Sequence, residues 1–112
     1  MAVTRALFVR GAVHLVALDP TKGSEIRKTR PCLIVSPDEL NQHLRTVIVA
    51  PMTTGGHAYL WRVACRFRGR SGYVAVDQLR TVDTERLVKR VGKLAPETVD
   101  EVLRVLQEMF AG

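Results

Sequence analysis

The segment DPTKGSEIRKTRPCLIVS, residues 19 to 36, joins a polar, basic loop directly to a continuous apolar run. The run from Pro31 to Ser36 has the composition of a buried strand. The part before it carries Gly23 and several charged side chains, which is typical of an exposed loop. This order of residues predicts that Glu25 and Arg30 are held over a rigid β-scaffold, where they can meet a phosphodiester.

Four other short runs are rich in Val, Ile, Leu and aromatic residues and are bounded by Gly, Pro, Asn or charged clusters. Together with the first run they give five predicted strands, and five short strands favour a small barrel. Ser36 as N-cap and Pro37 at the first helical position predict one helical turn over residues 37 to 41, which serves as a connector. The predicted strands are residues 12 to 18, 31 to 36, 45 to 52, 60 to 67 and 72 to 77.

Only the C-terminal end shows sustained helical periodicity. Pro96 fits the first helical position, and Ala95 stands at the N-cap, where it offers no capping oxygen. A helix this short needs tertiary packing, so its apolar stripe is expected to lie on the barrel or on a second subunit. The stripe consists of Val99, Val102, Leu103, Leu106 and Phe110.

A chain of 112 residues supports one compact domain, which we place at residues 1 to 112. The 17 basic and 11 acidic residues give a net charge of +6. The excess belongs to the body of the chain, because residues 1 to 95 hold 16 of the basic residues and only 7 of the acidic ones. Such a surface favours a polyanionic partner, such as nucleic acid or an acidic protein.

Several function classes find no support in the sequence. Cys32 and Cys65 lie in apolar segments predicted as strands, where a free thiol behaves as a small buried hydrophobe. The segment MAVTRALFVR is too short and too basic for a secretory signal, and no apolar run approaches the ~20 residues of a membrane span. There is no paired Cys or His motif at ligand spacing, so we expect no metal and no cofactor. We expect a cytoplasmic protein.

Four blocks in this order and spacing resemble the signature of the MazF/PemK-type toxins, endoribonucleases of toxin-antitoxin pairs. The blocks are DPTKGSE (19 to 25), TRP (29 to 31), APMTT (50 to 54) and DQLRTVD (77 to 83), and the resemblance runs from Arg10 to about Phe110. It implies a mainly β fold, an SH3-like antiparallel barrel with a C-terminal helix, of the type shared by CcdB and PemK.

The same resemblance implies a function and a set of partners. Members of this family cut single-stranded RNA, chiefly mRNA, at short sequences without a metal, and leave 2′,3′-cyclic phosphate and 5′-hydroxyl ends. They act as homodimers whose subunit interface borders the RNA groove. A cognate acidic antitoxin occupies that groove, and the toxin-antitoxin complex binds operator DNA.

Metal-free RNA cleavage needs a base for the 2′-hydroxyl, stabilisation of the phosphate charge, and an acid for the departing 5′-oxygen. Arg30 suits the second task, because its guanidinium fork binds two phosphate oxygens and keeps its charge. Thr53 is the second catalytic candidate, with Thr54 its close rival, and the resemblance selects Thr53 because it follows Pro51-Met52. Glu25 is the third, as proton acceptor or as partner of Arg30, with a solvated surface ion pair as the alternative.

Aromatic side chains alternate with arginines over residues 59 to 73, a pattern that suits stacking on single-stranded RNA along a cationic track. The same alternation is typical of a half-buried strand, so Trp61 or Phe67 is expected to lie partly in the core. We predict RNA contacts by the four arginines of this segment and by polar or basic residues of the neighbouring blocks. The full set is Lys22, Lys28, Thr54, His57, Arg62, Arg66, Arg68, Arg70, Gln78 and Arg80.

Two residues depart from the family pattern. Ala12 stands where relatives carry an acid, and His14 where they carry an aromatic residue, so His14 is expected to fill a packing role.

Two other functions stay open on this fold. One is a nucleic-acid-binding module without catalysis, and the other is a gyrase poison, which the C-terminal Phe110-Ala111-Gly112 disfavours because those toxins end in Trp-Gly-Ile.

Overall fold

Seven strands and two helices follow one another along residues 8 to 112, the part of the chain that the computed structural model describes. Two 3-10 turns, Val76–Gln78 and Thr84–Arg86, flank the sixth strand. The elements are β1 (Ala12–Ala17), β2 (Thr29–Ile34), α1 (Asp38–His43), β3 (Thr46–Thr54), β4 (Arg62–Phe67), β5 (Arg70–Ala75), β6 (Arg80–Asp83), β7 (Leu87–Lys93) and α2 (Pro96–Met109).

The strands form one antiparallel sheet in the order β4-β5-β3-β2-β1-β7. The long strand β3 pairs with β2 through its middle, with β6 through its first half and with β5 through its last residues. Between the two end strands the described residues form no backbone pairing, but Arg68 Nη2 donates a hydrogen bond to the Val91 carbonyl of β7. The expected mainly β, barrel-like antiparallel fold with a C-terminal helix is thereby confirmed.

Side-chain alternation along the central strands builds two apolar clusters on opposite faces of the sheet. On β1, Val13 joins the cluster beneath α2, whereas Val16 joins the other. On β2, Leu33 and Ile34 divide in the same way. Because both faces are covered, β2 and β3 read as continuous apolar runs.

Helix α2 begins at Pro96, as predicted, and packs on the barrel through Val99, Val102 and Val105. Ala95 stands at its N-cap without a side-chain hydrogen bond. Leu103 and Leu106 pack partly against the same cluster. Phe110, at the C-cap, is 73% exposed in the single chain, so burial of this end of the stripe against a second subunit stays a prediction.

The prediction of five strands is also wrong in number, since β6 and β7 were missed. Both are rich in charged residues, and β7 lies at the sheet edge with most of its side chains exposed. Their strand conformation depends on pairing with β3 and β1 rather than on an apolar pattern. Neither segment has the apolar alternation by which a strand is predicted from sequence.

Ser36 is not an N-cap, which corrects the predicted connector: α1 begins at Asp38, and Pro37 occupies the cap position. The Ser36 hydroxyl is used elsewhere, because it donates to the buried Asn41 Oδ1 and accepts from the Ile48 amide at 3.0 Å. These bonds tie α1 to β3. Among the α1 residues Asn41 alone is buried, so the helix is a connector as expected.

Candidate active site

Strands β2 and β3 bring the two main catalytic candidates together. In their antiparallel register Cys32 lies opposite Pro51. The pairing of β2 with β3 ends at this pair, and Arg30 and Thr53 each lie two residues beyond it on their own strands. The two residues therefore lie at the same end of the sheet, although 22 positions of sequence separate them.

Arg30 and Thr53 line one groove of about 490 Å³. Four cationic side chains surround it, and no Asp or Glu is among its lining residues within the described part of the chain. Its floor is apolar, formed in part by Leu15, Met52 and Val91. A groove with this charge and depth suits an anionic ligand that also carries flat apolar groups. The cations are Lys28, Arg30, Arg68 and Arg70.

The Arg30 guanidinium is half-buried and only partly committed to the protein. Its Nε donates to the Arg27 carbonyl at 3.3 Å, a single hydrogen bond from this side chain within residues 8 to 112. Both terminal nitrogens are therefore available for the two oxygens of one phosphate.

The Thr53 hydroxyl makes a long hydrogen bond of 3.5 Å to the carbonyl of Tyr73 on β5. A bond at this distance is weak, so the hydroxyl is easily redirected to a ligand. Gly72 allows β5 to approach the Thr53 backbone closely, because a Cβ at Gly72 would lie 1.8 Å from the Thr53 carbonyl oxygen. Gly72 was missed as a site residue in the sequence, where it looked like an ordinary strand glycine.

Glu25 is exposed, and its carboxylate accepts a hydrogen bond from the backbone N–H of Lys22 in its own loop. It does not line the groove in the described structure. Its catalytic role therefore stays a prediction. The same holds for Lys22, an exposed residue on the outside of that loop.

The base of the loop from residues 19 to 28 is held by side chains of distant segments. The Gln78 Oε1 accepts from the Ile26 amide at 3.4 Å, and Arg80 donates to the Leu18 carbonyl at 3.2 Å. Arg86, which the sequence did not single out, donates to the Ala17 and Asp19 carbonyls at 3.0 and 2.8 Å. In the structure Gln78 and Arg80 thus support the loop that precedes Arg30, and contact with RNA stays a prediction for both.

The four arginines of the aromatic segment have different surroundings. Arg62 forms a two-point ion pair with Asp77, at 2.7 and 3.0 Å, and its hydrogen bond lowers the pKa of that carboxyl. Arg66 lines a neighbouring cavity, while Arg68 and Arg70 line the groove itself. His57 is exposed in the loop after β3 and lines neither cavity.

The hairpin between β4 and β5 turns through two residues, Arg68 and Gly69, both with positive φ (52° and 77°). Two such residues form the turn whose twist matches the flanking strands. It places Arg68 5.6 Å from the ring centroid of Phe67. Phe67 and Trp61 are half-buried against the core, as the strand pattern predicted.

The two thiols differ in position. Cys32 is fully buried, and burial raises its pKa to about 12 despite the nearby Arg80. Cys65 is half-buried at the groove, where burial also raises its pKa. Neither thiol is prepared as a nucleophile. Within residues 8 to 112 no three His, Cys, Asp or Glu side chains are grouped to hold a metal ion.

His14 is buried, as expected for a packing residue, with its ring 5.6 Å from that of Phe8. Its Nε2 has no hydrogen-bond partner among the described residues. Burial, and then the positive charge of Arg90, lower its pKa.

In the described residues no helix is long and apolar enough to cross a membrane.

Comparison with known proteins identifies relatives over nearly the whole chain. Residues 9 to 110 match the family of PemK-like, MazF-like toxins of type II toxin-antitoxin systems. Endoribonuclease PemK of Escherichia coli is 40% identical over 100 residues, which are 84% of this chain and 75% of that protein. Endoribonuclease toxin ChpB of Escherichia coli K12 is 38% identical over 112 residues, which are 94% of this chain and 96% of that protein.

Solved structures share the fold. A crystal structure of MazF from Deinococcus radiodurans superposes with a TM-score of 0.80 at 23% identity, covering 90% of this chain and 94% of that one. A mycobacterial endoribonuclease in complex with its cognate antitoxin superposes with a TM-score of 0.75 at 26% identity, covering 89% and 91%. With its sheet, its groove and these relatives, the chain belongs to the family of PemK-like, MazF-like toxins of type II toxin-antitoxin systems.

Proposed function

We propose that this protein is an endoribonuclease toxin that cleaves single-stranded RNA, chiefly mRNA, at a short recognition sequence. One observation carries the proposal: Arg30 and Thr53, far apart in sequence, line one groove that has four cationic side chains and no carboxylate. The relatives named endoribonucleases, PemK and ChpB, support the same activity.

The proposed reaction is transesterification within the RNA. The 2′-oxygen loses its proton and forms a bond to the adjacent phosphorus, while the bond from phosphorus to the 5′-oxygen breaks and that oxygen takes up a proton. The products are a 2′,3′-cyclic phosphate and a 5′-hydroxyl. Negative charge builds up on the non-bridging phosphate oxygens, which is where donors stabilise the transition state most.

The residues divide this work according to their chemistry. Arg30 binds two phosphate oxygens through its terminal nitrogens, and Thr53 donates its hydroxyl to one of them. Arg30 is a poor base, because a guanidinium in a protein does not give up its proton. Glu25 is the proposed proton acceptor or partner of Arg30, which requires its loop to release the carboxylate from the Lys22 amide.

The proposed partners follow from the charge of the groove. An acidic antitoxin segment would compete with RNA for the same cations, and a mycobacterial relative was solved with its cognate antitoxin. We further propose a cytoplasmic homodimer whose complex with antitoxin binds operator DNA. Light scattering on the purified chain measures directly whether it forms a dimer.

The two other functions predict different outcomes with RNA. A binding module without catalysis would retain a long RNA intact in EDTA, and a gyrase poison would act on supercoiled DNA in the presence of gyrase. The grouping of a guanidinium and a hydroxyl in one groove favours cleavage over binding alone.

The decisive experiment is to map the 5′ ends of fragments from a long RNA incubated with the protein in EDTA. Arg30→Ala is expected to slow cleavage by about 10³-fold and Thr53→Ala by about 10²-fold, as when donors to a developing oxyanion are removed. Thr53→Ser should restore most of the lost rate. Arg45→Ala, which removes an exposed arginine outside the groove, is the matched control. Equal fragments at equal rates from wild type and Arg30→Ala would refute the proposal.

A further inference from the structure

A second cavity of about 480 Å³ adjoins the groove. The two share Cys65, Ser71 and Gly72 among their lining residues, so they border each other at the β4–β5 hairpin. The second cavity adds Tyr73 and Arg66 to the first, together with Gly55 and Gly56 of the loop after β3.

Tyr73 lies next to the proposed phosphate site. In the pairing of β3 with β5 it is directly opposite Thr53, and its own carbonyl accepts the Thr53 hydroxyl. Opposed residues on antiparallel strands share a face, with Cα atoms about 5 Å apart. Tyr73 and Thr53 therefore share one face of the sheet, next to the groove that Arg30 also lines.

The surroundings of the Tyr73 ring leave space for a planar group. Its cross-strand neighbour on β4 is Ala64, and Ser71 precedes it by two positions on β5. A Cβ added at Gly56 would lie 3.9 Å from the ring atom Cδ2, so this loop passes beside the ring without a side chain. The ring is half-buried, which fixes its orientation while part of it stays accessible.

Arg66 supplies a positive charge to the same cavity. It is exposed, lies opposite Ser71 in the pairing of β4 with β5, and makes no ion pair within residues 8 to 112. No Asp or Glu is among the described residues that line this cavity. An aromatic ring flanked by small residues, with an unpaired guanidinium next to it, has the chemistry that binds a single-stranded nucleotide by stacking and a phosphate contact.

We propose that Tyr73 and Arg66 form a nucleotide subsite beside the scissile phosphate, in which one base stacks on the Tyr73 ring and the next phosphate pairs with Arg66. Tyr73 is then a specificity-determining residue, because the space left by Ala64, Ser71 and Gly56 limits which base enters. This inference rests on the proposed RNA-cleaving function of the adjoining groove.

The test compares Tyr73→Leu and Tyr73→Phe on short RNA substrates. Leu keeps an apolar strand residue and removes the stacking face, so KM should rise about tenfold with kcat changed by less than about threefold. Phe keeps the ring and should recover most of the wild-type KM. Fragment-end sequencing of Tyr73→Leu should show a relaxed base preference at one position beside the cut. Tyr59→Leu, which removes an exposed tyrosine outside both cavities, is the matched control.

An abasic nucleotide in the substrate separates stacking from a folding defect. At the sensitive position it should weaken binding to the wild type by about tenfold and leave binding to Tyr73→Leu nearly unchanged. Equal losses for both proteins, or a Phe variant as poor as Leu, would overturn the subsite. Binding measured in an Arg30→Ala background isolates it from catalysis: Tyr73-dependent binding without cleavage by the wild type would refute the proposed function and leave the subsite standing.

Discussion

At the scale of single residues, the surroundings of a side chain distinguish residues that are available to a ligand from residues that stabilise the fold. Arg30 and Arg62 look alike in sequence, but Arg30 has both terminal nitrogens available at the groove, whereas Arg62 holds Asp77. The Arg62–Asp77 pair links β4 to the turn after β5, and its two side chains are 27% and 26% exposed. Position in the fold, rather than residue type, distinguishes the two.

His14 carries a prediction about pH. Because burial lowers its folded-state pKa below the ordinary 6.5, the unfolded chain takes up this proton first as the pH falls. This residue therefore reduces stability progressively below pH 6.5, until its folded-state pKa is reached, and it has no such effect above pH 6.5. Phe in its place removes both the titration and a buried nitrogen without a partner, so His14→Phe should raise the free energy of unfolding by about 1 kcal/mol at pH 7.5.

Urea unfolding of both proteins between pH 5 and 8 measures this effect. The stability difference between His14→Phe and wild type should widen as the pH falls below 6.5. Thr81→Ala, at an exposed position of β6 without a titratable group, is the control and should show no widening. A difference that stays constant with pH would contradict the assignment.

At the scale of elements, close approach of β5 to β3 sets the position of Thr53. A Cβ at Gly72 would meet the Thr53 backbone rather than a movable side chain, so the strands must separate to admit one. Gly72→Ala should therefore cost about 2 kcal/mol or more of folding stability and disturb the Thr53 hydroxyl.

Thermal unfolding and RNA cleavage of Gly72→Ala test this constraint together. We expect a lower Tm and, under conditions where the variant is folded, a cleavage rate reduced by about tenfold or more. Thr81→Ala, at an exposed strand position on β6, should change neither by much. A Gly72→Ala variant with wild-type stability would show that the strands do not approach so closely.

Helix α2 offers a gain in stability at its first turn. Ala95 is exposed, holds an extended N-cap conformation and makes no side-chain cap. Ala95→Asp supplies the missing acceptor and a negative charge near the helix N-terminus, which should add about 1 kcal/mol. The corresponding rise in Tm is about 4 to 8 °C for a domain of this size. Ala111→Asp, beyond the helix, is the control, and an unchanged Tm for Ala95→Asp would contradict the capping argument.

At the scale of the whole molecule, part of the basic excess of the chain lines the surface where the proposed substrate binds. Five cationic side chains line the two neighbouring cavities, and no carboxylate is among the described lining residues. By contrast, the acids of α2 are partly neutralised locally, since Arg104 pairs with Glu101 and Glu108. The lining of these two cavities therefore favours an anionic ligand.

This distribution predicts a steep salt dependence of RNA binding. With about 0.7 counterion released per phosphate contact on a single strand, five contacts give a slope of log K against log salt of roughly −3.5. Arg70→Gln should reduce the slope by about 0.7, whereas Arg45→Gln should not. The measurement uses 2′-O-methylated RNA, which binds without being cleaved. A slope near zero would contradict the electrostatic argument.

The sequence by itself was sufficient for the class of fold, the helix α2 and the identity of the main candidates. These rest on local signals: apolar runs for β1 to β5, a helical period after Pro96, and short blocks around Arg30 and Thr53. The tertiary structure decided what depends on pairing between distant segments. It formed β6 and β7 from segments rich in charged residues, brought Thr53 and Arg30 to one groove, and required Gly72 beside Thr53. Cross-strand register is set by contacts remote in sequence, so no local pattern could have distinguished the arginines that line the groove from those that brace the fold.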